Sequence, residues 1–323
     1  MGNITVDTAA AALNRHHIVF DKKIHSTIKR EIELEKCLKP VVCTHSYTAA
    51  SAEIQDIVQA YQCDFTPNLD LEFTAVENTL ERMKVDICLE CDDLDQLWDT
   101  WMAEWIEDGK ERKMWSFPRY IYDTFVIPKI IENLDAISWG GVRVAPTMGT
   151  AGLMMDSATG LEKRIQDAVA AGLVTPIPTG ALGASTIVNQ VETFVDSLPL
   201  PYRKLPGKLI MSDTNATKFW RDYRTQFGTG NGVSGNENKQ LRVDCTNKMV
   251  KGIGTMEGSD GIIFLPNNLA AGIYGRRRNR SGIESYLPRI RWQEEDRKLK
   301  GLTEFSRFWG FKYWGHTFVN DQI

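Results

Sequence analysis

The closing stretch FSRFWGFKYWGHTFVND, residues 305 to 321, constrains the fold more than any other part of the chain. Successive side chains of a strand point to opposite faces. Read that way, Trp309, Phe311 and Tyr313 lie on one face and Phe308, Trp314 and Phe318 on the other. A strand apolar on both faces has to be covered twice. Either it is a central strand inside a core, or part of its cover comes from another subunit.

The 323 residues allow two compact lobes or one elaborated domain. With 42% apolar and 25% charged residues the chain has an ordinary globular balance. A net charge of −4 argues against wholesale wrapping of nucleic acid. No apolar run approaches the ~18 residues of a membrane span. The N-terminal MGNITVDTAAAALNRHHIVF lacks the basic and apolar regions of a secretory signal and reads as a polar arm. Gly2 does not make a myristoylation site, because Val6 stands where Ser or Thr is required. Six scattered cysteines suit free thiols in a reducing compartment.

Periodicity divides the rest. After the arm, DKKIHSTIKREIELEKC predicts a short helix, and SAEIQDIVQAYQC a second one, with Ile54, Ile57, Val58 and Tyr61 on its face. Leu69, Leu71, Phe73 and Ala75 then alternate with polar residues. After Glu77-Asn78-Thr79, so do Met83, Val85, Ile87 and Leu89. This predicts two antiparallel strands joined by a polar turn, a long hairpin from Leu69 to Leu89. Cys88 and Cys91 form a C-x-x-C whose thiols point to opposite faces of that strand, with no second pair to complete a zinc site, so both read as structural.

Leu94, Leu97, Trp98, Trp101, Trp105 and Ile106 predict a helix capped by Asp92 or Asp93. Another helix starts at Ser116, with Pro118 in its first turn, and runs to Leu134, bent at Pro128. Gly140-Gly141 and VAPTMGTAG mark a boundary between lobes. Beyond it come a helix on Leu161, Ile165, Ala168 and Val169 ended by Gly172, and the extended connector TPIPTGAL. A helix capped by Ser185 and stopped by Pro199 follows. KLIMSDTNATKFWRDYRTQFG reads as a strand ending near Met211, a Ser212 cap and a helix stopped by Gly228.

Candidate chemistry fails its context. Gly230, Gly232 and Gly235 have G-x-G-x-x-G spacing, but a helix precedes them and a strand-like run, KQLRVDC, follows. A dinucleotide site needs the reverse order, so that a helix N-terminus meets the pyrophosphate. Ser234 lacks the closing glycine of a nucleophile elbow, since Asn236 stands there. His16, His17, His25, His45 and His316 make no ligand spacing. The acids Glu90, Asp92, Asp93, Asp95 and Asp99 suit a helix start. No catalytic, cofactor or metal site is expected. The cluster RRRNR, Arg276 to Arg280, admits three readings: phosphate binding, ion pairs between subunits, or a solvated basic turn.

The order of elements resembles the major capsid proteins of tailed bacteriophages with the Hong Kong 97-type fold. The likeness rests on the hairpin Leu69 to Leu89, the helix from Pro118 to Leu134, and the run VTPIPTGAL, VETFVDSLP, KLIMSDTNATKFWRDYRTQFG. The resemblance implies an α+β chain with an N-terminal arm and short helix over 1–45 and an E-loop region with its hairpin over 46–92. A peripheral domain with a spine helix over 93–150, an axial domain over 151–300, and a C-terminal strand returning to the core over 301–323 complete it.

It further implies a structural virion protein that is not an enzyme. Copies would self-assemble as hexamers and pentamers into an icosahedral shell around double-stranded DNA, in the host cytoplasm. A portal and separate scaffold or decoration proteins would be partners, with no covalent cross-link and no membrane. Contacts between subunits are expected at Leu71, Phe73, Met83, Val85, Arg276, Arg277, Arg278 and Arg280. The alternatives are an encapsulin-like nanocompartment shell, a cytosolic cofactor-binding enzyme and a nucleic-acid-binding module led by the arginines.

Overall fold

The computed structural model describes residues 32–54, 58–63, 71–90, 121, 126–228, 241–244, 246–267, 272–279, 282–283, 289–293 and 298–323. In chain order, a turn at 33–38 leads into β1 (Lys39–Cys43) and β2 (Ser46–Ile54), followed by β3 (Leu71–Thr79) and β4 (Glu81–Leu89). The helices α1 (Ile127–Gly140), α2 (Leu161–Ala170), α3 (Ile187–Asp196) and the short α4 (Leu200–Arg203) come next. Then follow β5 (Gly207–Ser212), α5 (Asp213–Phe227), β6 (Leu241–Arg242), β7 (Lys248–Ile253) and β8 (Ile263–Pro266). The chain finishes with β9 (Gly272–Asn279), β10 (Gly282–Ile283), β11 (Arg289–Gln293), β12 (Lys298–Phe311) and β13 (Phe318–Val319). The architecture is α+β.

The two-faced aromatic strand is β12, and it is central. It pairs antiparallel with β4, β9 and β11, while β1 runs parallel to β9 on that strand's other edge. Phe308 and Trp309 point to opposite faces and both are fully buried. Phe308 lies against Gly275 of β9, directly across the ladder. A Cβ there would come within 1.9 Å of Phe308 Cε1, so only glycine admits the ring. Trp314 and Phe318 lie beyond the strand, Trp314 in a 3₁₀ turn and Phe318 in β13 opposite Phe264.

A second sheet, in the order β13-β8-β5-β7-β6, separates two cores. Leu209 and Met211 of β5 join Val188, Val191 and Phe194 of α3 and Phe219 and Tyr223 of α5 on one face. Ile210, between them in sequence, faces the other core with Leu134 and Ile137 of α1, Leu161 and Ile165 of α2, and Trp309. Helix α5 links β5 to its parallel neighbour β7. Ser212 caps α5 by accepting from Asn215 N at 3.2 Å, and Gly228, at φ +74, ends it, as its sequence predicts. Helix α2 buries Leu161, Ile165 and Ala168 and stops before Gly172, at φ +73.

Several expectations are corrected. The described residues of SAEIQDIVQAYQC are not helical: Ser51 to Ile54 belong to β2, where pairing with β3 overrides local periodicity, and Val58 to Cys63 are irregular. β3 does not fold back on β4. It pairs with β2, from Ser46 opposite Thr79 to Ile54 opposite Leu71, while β4 pairs with β12. Glu77, Asn78 and Thr79 are therefore strand, and only Leu80 separates two strands that belong to different sheets.

Pro128 sits in the first turn of α1, which runs past Leu134 to Gly140, and Val126 ahead of it already has helical angles. Thr186, not Ser185, precedes α3, and the first-turn N–H of Val188 is taken by Asp222 Oδ2 at 3.2 Å from α5. The arm, the helix read from Leu94 to Ile106, and the start near Ser116 lie outside the described residues.

Candidate intersubunit surface

The hairpin β2–β3 is fixed firmly at its root. Ala49 and Val76 are buried there, and Leu80 N donates to His45 O at 2.8 Å. Asn78, also buried, donates through Nδ2 to Phe311 O at 2.9 Å, which ties the hairpin to the end of β12. Glu81 opens β4 and accepts from Thr159 N at 2.5 Å and Thr159 Oγ1 at 2.9 Å, with Arg164 Nη2 at 4.0 Å. Burial lowers the pKa of Arg164, and the Glu81 carboxylate opposes that shift.

Past the root, the described side chains of β3 are open to solvent. Phe73 is 69% exposed, Thr74 and Ala75 are exposed, and beyond β2 Val58 and Tyr61 are 91% and 94% exposed. A two-stranded hairpin is marginal in water without packing on one face. The arrangement is a hairpin with a fixed root and, among the described residues, an exposed stretch at Phe73, Thr74 and Ala75.

A second apolar surface follows α1. Residues 142 to 154 are all exposed and include Val142, Val144, Met148, Leu153 and Met154, with Met148 97% exposed. Val142 N donates to Met155 O and Val144 N to Asp156 O, so the loop is a ribbon rather than a loose coil. Its base is tight, since a Cβ on Gly160 would sit 2.2 Å from Trp139 O. The Gly140-Gly141 pair, read as a boundary, leads into this ribbon, and α1 and α2 on either side of it share one core.

The expected contact residues divide. Phe73 is exposed on the hairpin, and Leu71 pairs with Ile54 at its far end. Met83 is buried, and Val85 is half-buried against the same core, because alternation turns both toward the inside of the large sheet. Met83 is therefore core, not contact.

The arginines do not form a solvated turn. Arg276, Arg277 and Arg278 lie in β9, where Arg276 is 2% exposed, Arg277 half-buried and Arg278 exposed. Arg280 lies outside the described residues. Arg276 Nη2 is 3.7 Å from Glu35 Oε2, so its ion pair is internal; sequence reasoning missed Glu35, which carries no local signal.

The glycine loop of residues 229 to 240 lies outside the described residues. Helix α5 precedes it and β6 follows, the order that disfavours nucleotide binding. Among the described residues no group of three or more His, Cys, Asp or Glu could hold a metal. His316 Nδ1 is engaged by Tyr202 Oη at 2.6 Å. Cys37, Cys43, Cys63 and Cys88 are free thiols. No described helix is long and apolar enough to cross a membrane.

No protein-family model matches the chain, and a search of curated proteins finds no match. Solved structures do match. A chain of the satellite phage P4 procapsid, a particle including size determination (Sid) protein, is similar over 94% of this chain and 90% of its own, with TM-score 0.59 and 10% identity. A capsid chain of an empty GTA particle matches over 90% of this chain and 96% of its own, with TM-score 0.52 and 11% identity. A chain of Microbacterium phage Oxtober96 matches over 88% and 86%, with TM-score 0.50 and 10% identity.

This chain has a phage-capsid fold. At such identity the likeness is one of architecture, extending over nearly the whole of each chain.

Proposed function

We propose that the chain is the major capsid protein of a tailed phage, a Hong Kong 97-type subunit. Its copies close as hexamers and pentamers into an icosahedral shell around double-stranded DNA. The observation that carries this reading is the β2–β3 hairpin, rooted through Asn78 and Leu80 yet uncovered along its shaft, in a chain with a capsid fold. A limb that cannot bury its own apolar side chains is completed by a neighbouring copy. Head-to-tail contacts of that kind close into rings when the rotation allows.

In this reading the arm and its short helix lie within 1–45, ahead of the turn at 33–38 and β1, and the hairpin is the E-loop within 46–92. Helix α1 is the spine of a peripheral domain over 93–150, and residues 151–300 form the axial domain. Residues 301–323 return to the core. Phe73 and Leu71 contact a neighbour, as does Arg278. Portal and scaffold or decoration proteins are the expected partners, the location is the virion, and no reaction is catalysed.

The test is whether purified particles enclose nuclease-protected double-stranded DNA. Shells holding protein cargo and no DNA favour the nanocompartment reading. A small oligomer that binds a nucleotide saturably, with loss on Gly232→Ala, contradicts both.

A further inference from the structure

Two arginines face each other inside the large sheet. Arg276 of β9 and Arg307 of β12 are directly opposed in the antiparallel register, and each is 2% exposed. Like charges opposite one another across a ladder repel. Neither guanidinium can shed its proton in a protein. Such a pair needs an anion, and among the described residues Glu35 faces both. Its Oε2 is 3.7 Å from Arg276 Nη2 and its Oε1 is 3.5 Å from Arg307 Nε, with the carboxylate itself buried. These are ion-pair separations, longer than the ~2.7–2.9 Å of a charge-assisted hydrogen bond. Among the described residues Arg276 Nε, Nη1 and Nη2 find no hydrogen-bond partner.

Glu35 is not part of the sheet. It belongs to the turn over 32–38 that joins the first 31 residues to β1. Lys36 N donates to Ile32 O, Cys37 N to Leu34 O and Leu38 N to Glu35 O. Ile32, Leu34 and Leu38 bury into the first core. Glu33 N donates to Asp135 Oδ1 of α1 at 3.0 Å, and Gly254 N donates to Glu33 Oε2 at 2.8 Å. The turn is thus wedged between helix α1, the 3₁₀ turn at Gly254–Met256 and the large sheet.

We infer that Arg276 and Arg307 form an anion socket for one carboxylate, and that Glu35 is its tethered occupant. Arginine forks match a planar carboxylate better than a spherical ion. The turn is held by a charged plug as well as by apolar packing. Pulling it from the sheet takes the carboxylate away from Arg276, a buried cation, so docking of residues 32–38 is all or none. The chemical class the socket takes is a small planar carboxylate. The inference concerns the folding of one subunit and stands whether or not copies assemble.

The test uses the full-length chain with Glu35→Gln, Glu35→Ala, and the triple variant Glu35→Leu/Arg276→Met/Arg307→Leu. Lys36 is exposed beside the plug, so trypsin cleavage after it, read by mass spectrometry, reports release of the turn. Cleavage is expected at least tenfold faster in Glu35→Gln and Glu35→Ala than in wild type. Sodium formate is expected to protect Glu35→Ala saturably toward the wild-type rate, with sodium chloride at equal ionic strength giving no such protection. The triple variant, which removes the charges together, is expected to cleave at the wild-type rate and to ignore formate.

If Glu35→Ala does not fold, its refolding yield in formate against chloride gives the same reading. Wild-type cleavage in Glu35→Gln, or a Glu35→Ala chain that formate protects no better than chloride, overturns the socket.

Discussion

Gly275 is the residue at which the large sheet is most tightly closed. The Phe308 ring occupies the place of its missing side chain. Gly275→Ala is expected to cost about 1–3 kcal/mol or more, as overpacking does, read as a lowered denaturant midpoint with little change in slope. Asn78→Ala removes the buried hydrogen bond to Phe311 O, an expected loss of about 0.5–1.5 kcal/mol.

Asp321 gives a pH signature. Its carboxyl is held below its ordinary pKa, first by the N–H of Thr179, with Gln322 and the N–H of Gly180 adding to the effect. The clamp between the C-terminus and the TPIPTGAL connector is therefore complete above the unfolded carboxylate pKa of about 3.9. It is lost as pH falls through the lower folded value. Thermal melts from pH 6 to pH 2 are expected to show Asp321→Asn less stable than wild type above pH 4, with the difference closing in the acid limb.

At the scale of elements, the hairpin β2–β3 is expected to be dispensable for the fold of one subunit and indispensable for association. Replacing residues 51 to 74 by a short Gly-Ser link keeps Ala49, Val76 and Asn78 at the root. The shortened chain is expected to melt cooperatively near the wild-type temperature and to elute as a small species where wild type elutes as a large one. Elements that satisfy themselves locally were legible in the sequence: α2, α3 and the β5-α5 unit each carry their own apolar face and stop, and α5 its own Ser212 cap. The central strand β12 was legible because both of its faces are aromatic.

Elements defined by distant partners were not. Ser51 to Ile54 have helical spacing but are strand because β3 pairs with them, and β3 was assigned to β4 because the two are adjacent in sequence. Of the expected contact residues, Phe73 is exposed where alternation turns it outward, and Met83 is buried where alternation turns it inward. Arg276 looked like a surface charge because its partner, Glu35, lies near the other end of the chain.

At the scale of the molecule, two cores back to back on the β13-β8-β5-β7-β6 sheet make a self-sufficient body. Outside those cores, Phe73 of the hairpin and Val142, Val144, Met148, Leu153 and Met154 of the ribbon after α1 are exposed. A body complete in itself with limbs that are not is what a shell subunit requires, since folding precedes assembly and assembly buries what folding left out. Electron microscopy of the purified full-length chain tests this most directly. The account predicts closed shells, or rings of five and six copies. A uniform monomer with the β2–β3 hairpin packed against its own body would contradict it.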